Sequence, residues 1–349
     1  KKTENFRRLK MEIKEYIREF TLKDVVRVRN PRVVAFGGGT GLSVILRGLK
    51  KYTNRLTAVV TMADDGGSSG MLREDLGILP PGDIRNCILA LADDENVMQS
   101  LFNYRFGGGG LDGHSFGNLF LAAMAGISSD FYDAVRRTSD VLQITGRVLP
   151  VTLDEMVLLG TLKDGQIVEG ESRIPQVVKE AGTAVDYVAL KSVARALPET
   201  LDAIKAADII IIGPGSLYTS VIPHLLVEGV EEAITESRAK KFYIANLMTQ
   251  PGETTGYSQA DHIEAIEAHC FFKERPLFQY IVANDGDLGT QAITRYHKSG
   301  AAPVKIGKIL PEYDYLLGDY AIQDMGRVRH DADELARQVF QVYLDGGIK

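Results

Sequence analysis

Four glycines fall in five positions at Gly37-Gly38-Gly39-Thr40-Gly41, directly after the apolar run "RVVAF". Without Cβ atoms, such a turn can bring backbone N–H groups close to an anion. A helix starting near Leu42 would add the partial positive charge of its N-terminus. The chemistry on offer is capture of a phosphate or carboxylate. The dinucleotide pattern GxGxxG is not met, because Leu42 and Val44 stand where a third glycine would complete it. Walker A fails as well, for want of the lysine. The competing reading is a tight strand-to-helix turn that binds nothing. The same scheme returns at Gly213-Pro214-Gly215-Ser216, with Tyr218 and Thr219 following, as a second candidate anion cradle.

Acidic and amide groups gather at similar places. "MADDGGSSG" follows a second apolar run, so Asp64 and Asp65 could bond a ribose hydroxyl or hold Mg²⁺ through water. Gly66, Ser68 and Ser69 read as small donors in a flexible turn, against the alternative of a solvated Asp-rich loop. In "PPGDIRN", Asp83 reads as the helix N-cap. Arg85 and Asn86 read as ligand contacts, since a cation in a first turn opposes the helix dipole. His114, Ser115 and Asn118 open another helix, either capping it or facing the ligand. Asn246, Thr249, Gln250 and Glu253 follow "YIA", and Asn284 and Asp285 end "IVAND".

Two patterns tempt toward other chemistry. "GHSFG" at 113–117 matches the hydrolase nucleophile elbow, but a loop rather than a strand precedes it. His262, His269 and Cys270 share one apparent helix seven and eight residues apart, which is not the i, i+4 spacing of helical metal ligands.

The elements that must position these groups alternate. "RVVAF", "LTAVVTMA", "ADIIIIGPGS", "KKFYIANLM" and "FQYIVAND" read as strands, each leading toward a helical pattern. Helices are expected over 42–50, 83–92, 96–104, 115–125 and 132–142. Such alternation implies an α/β, Rossmann-like, mostly parallel sheet with helices on both faces. Ligands of open α/β sheets bind outside the carboxyl ends of the strands, where the polar groups gather. Residues of about 146–192 read instead as a small β-rich insertion of short strands, with Lys163-Asp164-Gly165 as its hairpin turn. Domain bounds follow: a helical extension over 1–30 and one main domain over 31–349. In the extension, Phe6, Leu9, Ile13, Ile17 and Phe20 keep helical spacing among seven Lys/Arg and four Asp/Glu. Docking on the main domain or a second subunit is the expectation, with membrane-surface contact as the alternative.

The net charge of -6 argues against nucleic-acid binding by bulk electrostatics. No apolar run approaches the roughly 18 residues of a membrane span. The two cysteines, far apart, suggest neither disulfide nor zinc, and a cytoplasmic location is expected. The chain begins Lys1-Lys2 rather than with Met, so it reads as part of a longer chain.

Taken in order, "GGGTGLS", "ADDGGSSG", "PPGDIRN", "GHSFGN", "GPGSLYTS" and "NLMTQPGET" resemble the CofD-like superfamily, and more closely its YvcK-like branch of gluconeogenesis factors. The resemblance runs from about Arg32 onward. It implies a cytoplasmic bacterial protein that binds a UDP-sugar such as UDP-N-acetylglucosamine, linked to gluconeogenic growth, cell shape and wall synthesis. No obligatory cofactor and no catalytic residue are implied, and a homodimer is expected. The sister branch implies an alternative: a Mg²⁺-dependent phospholactyl or nucleotide-type transferase, with Asp64 or Asp65 holding metal and acceptor. NAD binding is a third, weaker expectation.

Overall fold

The computed structural model describes residues 21–346 apart from 94, 273, 274 and 325. The amphipathic stretch Phe6–Phe20 lies outside the described residues. A helix over 21–29 follows it and buries Leu22 and Val26 in the main core.

Central to the molecule is a seven-stranded sheet. The first strands are β1 (Val33–Gly37), β2 (Leu56–Val60) and β3 (Arg147–Pro150). β7 (Ile209–Ile212), β8 (Lys240–Ile244), β9 (Tyr280–Asn284) and β10 (Asp314–Gly318) complete it. Their order is β10-β9-β8-β7-β1-β2-β3, and every neighbouring pair is parallel. Each residue of β1, β2 and β7 is buried, so both faces are covered, as a parallel sheet of continuous apolar strands requires. The covering helices are α1 (Gly39–Leu49), α2 (Gly67–Leu76), α3 (Gly82–Leu91), α4 (Glu95–Asn103), α5 (Phe116–Gly126) and α6 (Phe131–Leu142). Later in the chain come α8 (Pro198–Ala206), α9 (Ile222–Leu225), α10 (Val230–Glu236), α11 (Gln259–Ala268), α12 (Thr290–Lys298) and α13 (Ala332–Asp345). α13 closes against α1, where Tyr52 stacks on Phe340 with centroids 4.7 Å apart.

The chain leaves β1 toward β2 on one side and β7 toward β8 on the other. The topological switch point therefore lies between β1 and β7, whose carboxyl ends carry the two glycine turns. In an open parallel sheet this is where a ligand crevice forms.

The insertion contains β4 (Leu158–Leu162), β5 (Ile167–Glu169) and β6 (Val185–Leu190), an antiparallel sheet of order β5-β4-β6. The β4–β5 turn at Lys163-Asp164-Gly165 forms as the sequence suggests, with Gly165 at φ 89°. Two boundaries differ from expectation. "VLP" pairs with β2 and is the sheet's edge strand β3, outside the insertion's own sheet. Residues after "EGES" form α7 (Arg173–Ala181), because Ile174 and Val178 bury one helical face that a strand pattern hid. A second hairpin, β11 (Ala321–Asp324) with β12 (Arg327–His330), packs over a small apolar cluster of Leu247, Leu288, Ala292 and Val328. No helix among the described residues is long and apolar enough to cross a membrane.

Candidate functional site

One cavity of about 470 Å³ opens at the switch point. Both glycine turns border it, through Gly38, Gly39, Thr40 and Gly41 on one side and Pro214, Gly215, Ser216 and Thr219 on the other. Asp64, Asn246 and Gln250 also line it, as the sequence suggests. The turns touch each other closely. A Cβ at Gly41 would strike the Pro214 carbonyl, and one at Gly38 would lie 2.8 Å from Ser220 Oγ. Helix α1 starts at Gly39, three residues earlier than expected, so the glycine run is itself the helix's first turn. Its N-cap, Gly38, offers no side chain to the first N–H groups.

Asn246, just beyond β8, holds the second turn in place. Its Oδ1 accepts Gly215 N–H at 3.0 Å and its Nδ2 donates to Gly215 O at 2.8 Å. Ser216 Oγ donates to Gln250 Oε1 at 2.9 Å, and Gln250 Nε2 donates to Glu253 Oε1 at 2.9 Å. Glu253 also accepts Tyr218 N–H and the Thr219 hydroxyl. Its burial nevertheless pushes its pKa up to about 7.

Asp83 does not cap its own helix. Pro81 stands at that position, and Asp83 is the second residue of α3. Its carboxylate instead lies against Gly38 and Gly39 and accepts the Gly39 N–H. Burial first, and then the Asp64 charge, raise its pKa to about 6. The positive end of α1 is thus partly answered from within the chain.

Asp65 departs furthest from expectation. It does not line the cavity. Its two oxygens accept Glu171 N–H and Ser172 N–H, each at 2.8 Å, at the entrance to α7. A carboxylate there meets the unpaired N–H groups and positive end of a helix, so Asp65 caps α7 from 106 residues away. The aspartates therefore split: Asp64 faces the cavity, its Oδ1 accepting Gly66 N–H at 3.0 Å, while Asp65 fastens the insertion. They do not form one metal-binding pair, and no group of three His, Cys, Asp or Glu is placed to hold a metal ion among the described residues.

Gly66 caps α2, and the glycine-serine run beyond it opens that helix rather than making a flexible turn. Ser69 Oγ accepts Gly82 N–H at 3.2 Å. Ser68, Arg85, His114, Ser115 and Asn118, all buried, form a network with the half-buried Asn86 outside the cavity lining. Arg85 donates to Ser115 Oγ, to Asn118 Oδ1 at 3.0 Å and to Asn86 Oδ1 at 2.9 Å. Ser68 Oγ meets His114 Nδ1 at 3.0 Å and accepts Asn118 Nδ2 at 3.1 Å. Ser115 also caps α5. Arg85 is thus occupied by neutral groups of the chain, although its buried Nε has no partner.

Other expected contacts are structural too. Gly37 ends β1, and Gly213 continues beyond β7 with its N–H on Phe36 O. The Tyr218 hydroxyl meets that of Tyr257 at 2.8 Å. Thr249 exchanges two bonds with Ala302, and Asn284 accepts Tyr320 N–H. Neither Thr249 nor Asn284 lines the cavity. His262 and His269 pack in α11 and just after it; His269 accepts Val188 N–H at 3.0 Å and stacks on Tyr187, seating the insertion.

Several lining residues carried no sequence signal. Glu171 reaches the cavity from the insertion, where its carboxyl lies beside Thr219, whose hydroxyl donates to Glu253. Burial and the nearby Asp64, Asp65 and Glu253 raise its pKa to about 8. Tyr296 and the strand β12, with Arg327, Val328, Arg329 and His330, also line the cavity, as do Asp83 and Ser220. Arg329 pairs with Asp324 at 3.2 Å, and Tyr296 accepts Val328 N–H at 3.2 Å. A short strand of alternating basic residues has no pattern that would mark it.

Comparison with known proteins adds identity to this geometry. The family described as 2-phospho-L-lactate transferase CofD matches residues 33–314. The gluconeogenesis factor of Bacillus subtilis is 49% identical over 280 residues, covering 79% of this chain and 86% of that one. That of Halalkalibacterium halodurans is 44% identical over 319 residues, covering 90% and 97%. A crystal structure of a UPF0052-family protein from Bacillus halodurans superposes with a TM-score of 0.83 at 43% identity, covering 88% of this chain and 99% of that one. The chain belongs to the gluconeogenesis factors of the CofD family.

Proposed function

We propose that the cavity binds a nucleotide diphosphate sugar of the UDP type, such as UDP-N-acetylglucosamine, and that the protein acts as a regulatory binder. The observation that carries this reading is the meeting of two glycine turns in one cavity at the sheet's switch point. Backbone N–H groups of the first turn, the Ser220 hydroxyl and the Arg327 and Arg329 guanidiniums suit a diphosphate. Asp64, Asp83 and Glu171 suit the hydroxyls of ribose or sugar. The volume of about 470 Å³ falls within the usual range of small-molecule sites, roughly 300–1,000 Å³. A role in gluconeogenic growth accords with the name its relatives carry, and we extend the proposal to cell shape and wall synthesis.

The family match favours a second reading, a Mg²⁺-dependent transferase of phosphorus-containing groups. Asp64 and Asp83 would then supply carboxylate oxygens, and the metal would take its other ligands from phosphate and water. Thermal denaturation with UDP-N-acetylglucosamine, UDP-glucose, GDP and NAD, each with and without Mg²⁺, separates the readings. A ligand at a hundredfold its Kd stabilises by about 2.7 kcal/mol. A Mg²⁺-independent shift with UDP-sugars supports the binder. A shift with GDP and Mg²⁺ alone overturns it in favour of the transferase.

A further inference from the structure

We infer that helix α5 is the contact surface of a twofold dimer of this chain, in which two copies of the helix pack antiparallel across Ala123. The inference is independent of what the cavity binds.

The helix is amphipathic in reverse. Its sequence, "FGNLFLAAMAG", has no charged residue and one polar one, Asn118. A helix that is apolar all round is ordinarily buried, and a surface helix ordinarily turns its polar side outward. In α5 only Gly117, Asn118 and Leu121 are buried. Asn118 thus faces inward, on Arg85 and Ser68, while Leu119 is half-buried and Ala123 is exposed. Ile127, at the C-cap, is 67% exposed. Helix α4 packs on α5 through Phe102, which meets Phe116 and Phe120, and it leaves Val97 and Leu101 exposed as well. Apolar surface of this kind marks an interaction site.

The stripe itself points to a second copy as the occupant. Leu119, Ala123 and Ile127 are four residues apart on one helix face and span about 12 Å, in the order large, small, large. Turned about a twofold axis through Ala123, the stripe fits itself: Leu119 meets Ile127 of the partner subunit, and the small residues meet at the axis. Charges at the two ends agree with the antiparallel sense. Arg105 bridges to Ser115 at the N-terminal end of α5, is exposed, and makes no ion pair among the described residues; its Nη1 donates to Gly113 O at 2.8 Å. Exposed Asp130 follows the C-terminal end. Antiparallel packing brings Arg105 toward Asp130 of the partner subunit, and it does so twice, whereas parallel packing would set like charges together. Asp112, in the loop after Arg105, is turned onto Gly108 N–H at 2.8 Å. A lipid surface fits less well. Helices that lie on membranes carry Lys and Arg on the polar face, and none stands between residues 106 and 135.

Sedimentation velocity of the full chain, across a concentration series up to about 100 µM, tests the inference. The wild type is expected to be a dimer. Ala123→Glu sets two carboxylates against each other at the axis and is expected to weaken the dimer at least about a hundredfold. Ala123 is exposed in the single chain, so the fold should survive, and circular dichroism checks this. Arg105→Glu, outside the helix, is expected to weaken the dimer about fivefold or more by facing Asp130 of the partner subunit, and Ala123→Ser is expected to leave it intact. A wild type that stays monomeric throughout the series would overturn the inference, and flotation of that monomer with phosphatidylglycerol vesicles would assign the face to lipid instead. A dimer of unchanged affinity in folded Ala123→Glu, or in Arg105→Glu, would overturn it as well.

Discussion

Removing the Asp65 carboxylate separates a fastening role from ligand contact. Its oxygens take Glu171 N–H and Ser172 N–H at 2.8 Å each, and these N–H groups open α7. A hydrogen bond to a charged group contributes about 1.5–3 kcal/mol, and loss of a helix cap costs about 0.5–2. Asp65 is only half-buried and water can replace part of the interaction, so Asp65→Ala is expected to cost about 2 kcal/mol. Asp65→Asn keeps one acceptor oxygen and should cost about half as much. Urea denaturation measures the total. Hydrogen exchange locates it: amides of α7 should exchange up to about thirtyfold faster, since 1.4 kcal/mol is tenfold in an opening equilibrium. Ligand affinity should fall along with the protection, because Glu171 loses its anchor. A variant with wild-type stability and exchange but no ligand binding would refute the fastening role and return Asp65 to the ligand.

Other perturbations give contrasting outcomes. Gly41→Ala forces a methyl into the Pro214 carbonyl and should cost about 1–3 kcal/mol while weakening binding. Gly215→Ala meets nothing nearer than Ser220 Cβ at 3.6 Å and should be tolerated, with both effects read by urea denaturation and calorimetry. Glu171 has a pKa raised to about 8 in the fold, so the stability of its neutral form is fully present below about pH 4.5 and is lost as pH rises through about 8. Glu171→Gln should therefore gain on wild type in melting temperature from pH 5 to pH 8.5; a constant difference would contradict the raised pKa. Asn246→Leu removes both bonds to Gly215 and should loosen the second turn, seen as faster exchange over 213–219 with the sheet's protection retained.

The sheet was legible because its strands are short apolar runs buried on both faces, bounded by glycine or polar residues. "RVVAF" and "IIII" show it most plainly. The two glycine turns were legible for a related reason: only residues without Cβ let α1 approach Pro214 so closely. Local patterns failed where distant partners decide the outcome. Asp64 and Asp65 are chemically alike and adjacent, yet a backbone segment more than a hundred residues away claims one of them. Arg85 looked misplaced at a helix start, but Ser115, Asn118 and Asn86 offset its charge with neutral oxygens. The weak helix formers Gly67-Ser68-Ser69-Gly70 are helical because Ser68, Ser69 and Leu72 are buried by tertiary packing, which overrides propensity. Glu171 and Arg327–His330 reach the cavity only through the docking of an insertion and a hairpin, and Tyr296 reaches it from α12; no local periodicity encodes these approaches.

Isothermal titration of the full chain with UDP-N-acetylglucosamine, in the presence of EDTA, tests the central claim most directly. The account predicts one-to-one saturable binding that Gly41→Ala weakens and Gly215→Ala leaves nearly intact. Absence of binding to the folded wild type, or binding indifferent to Gly41→Ala, would contradict it.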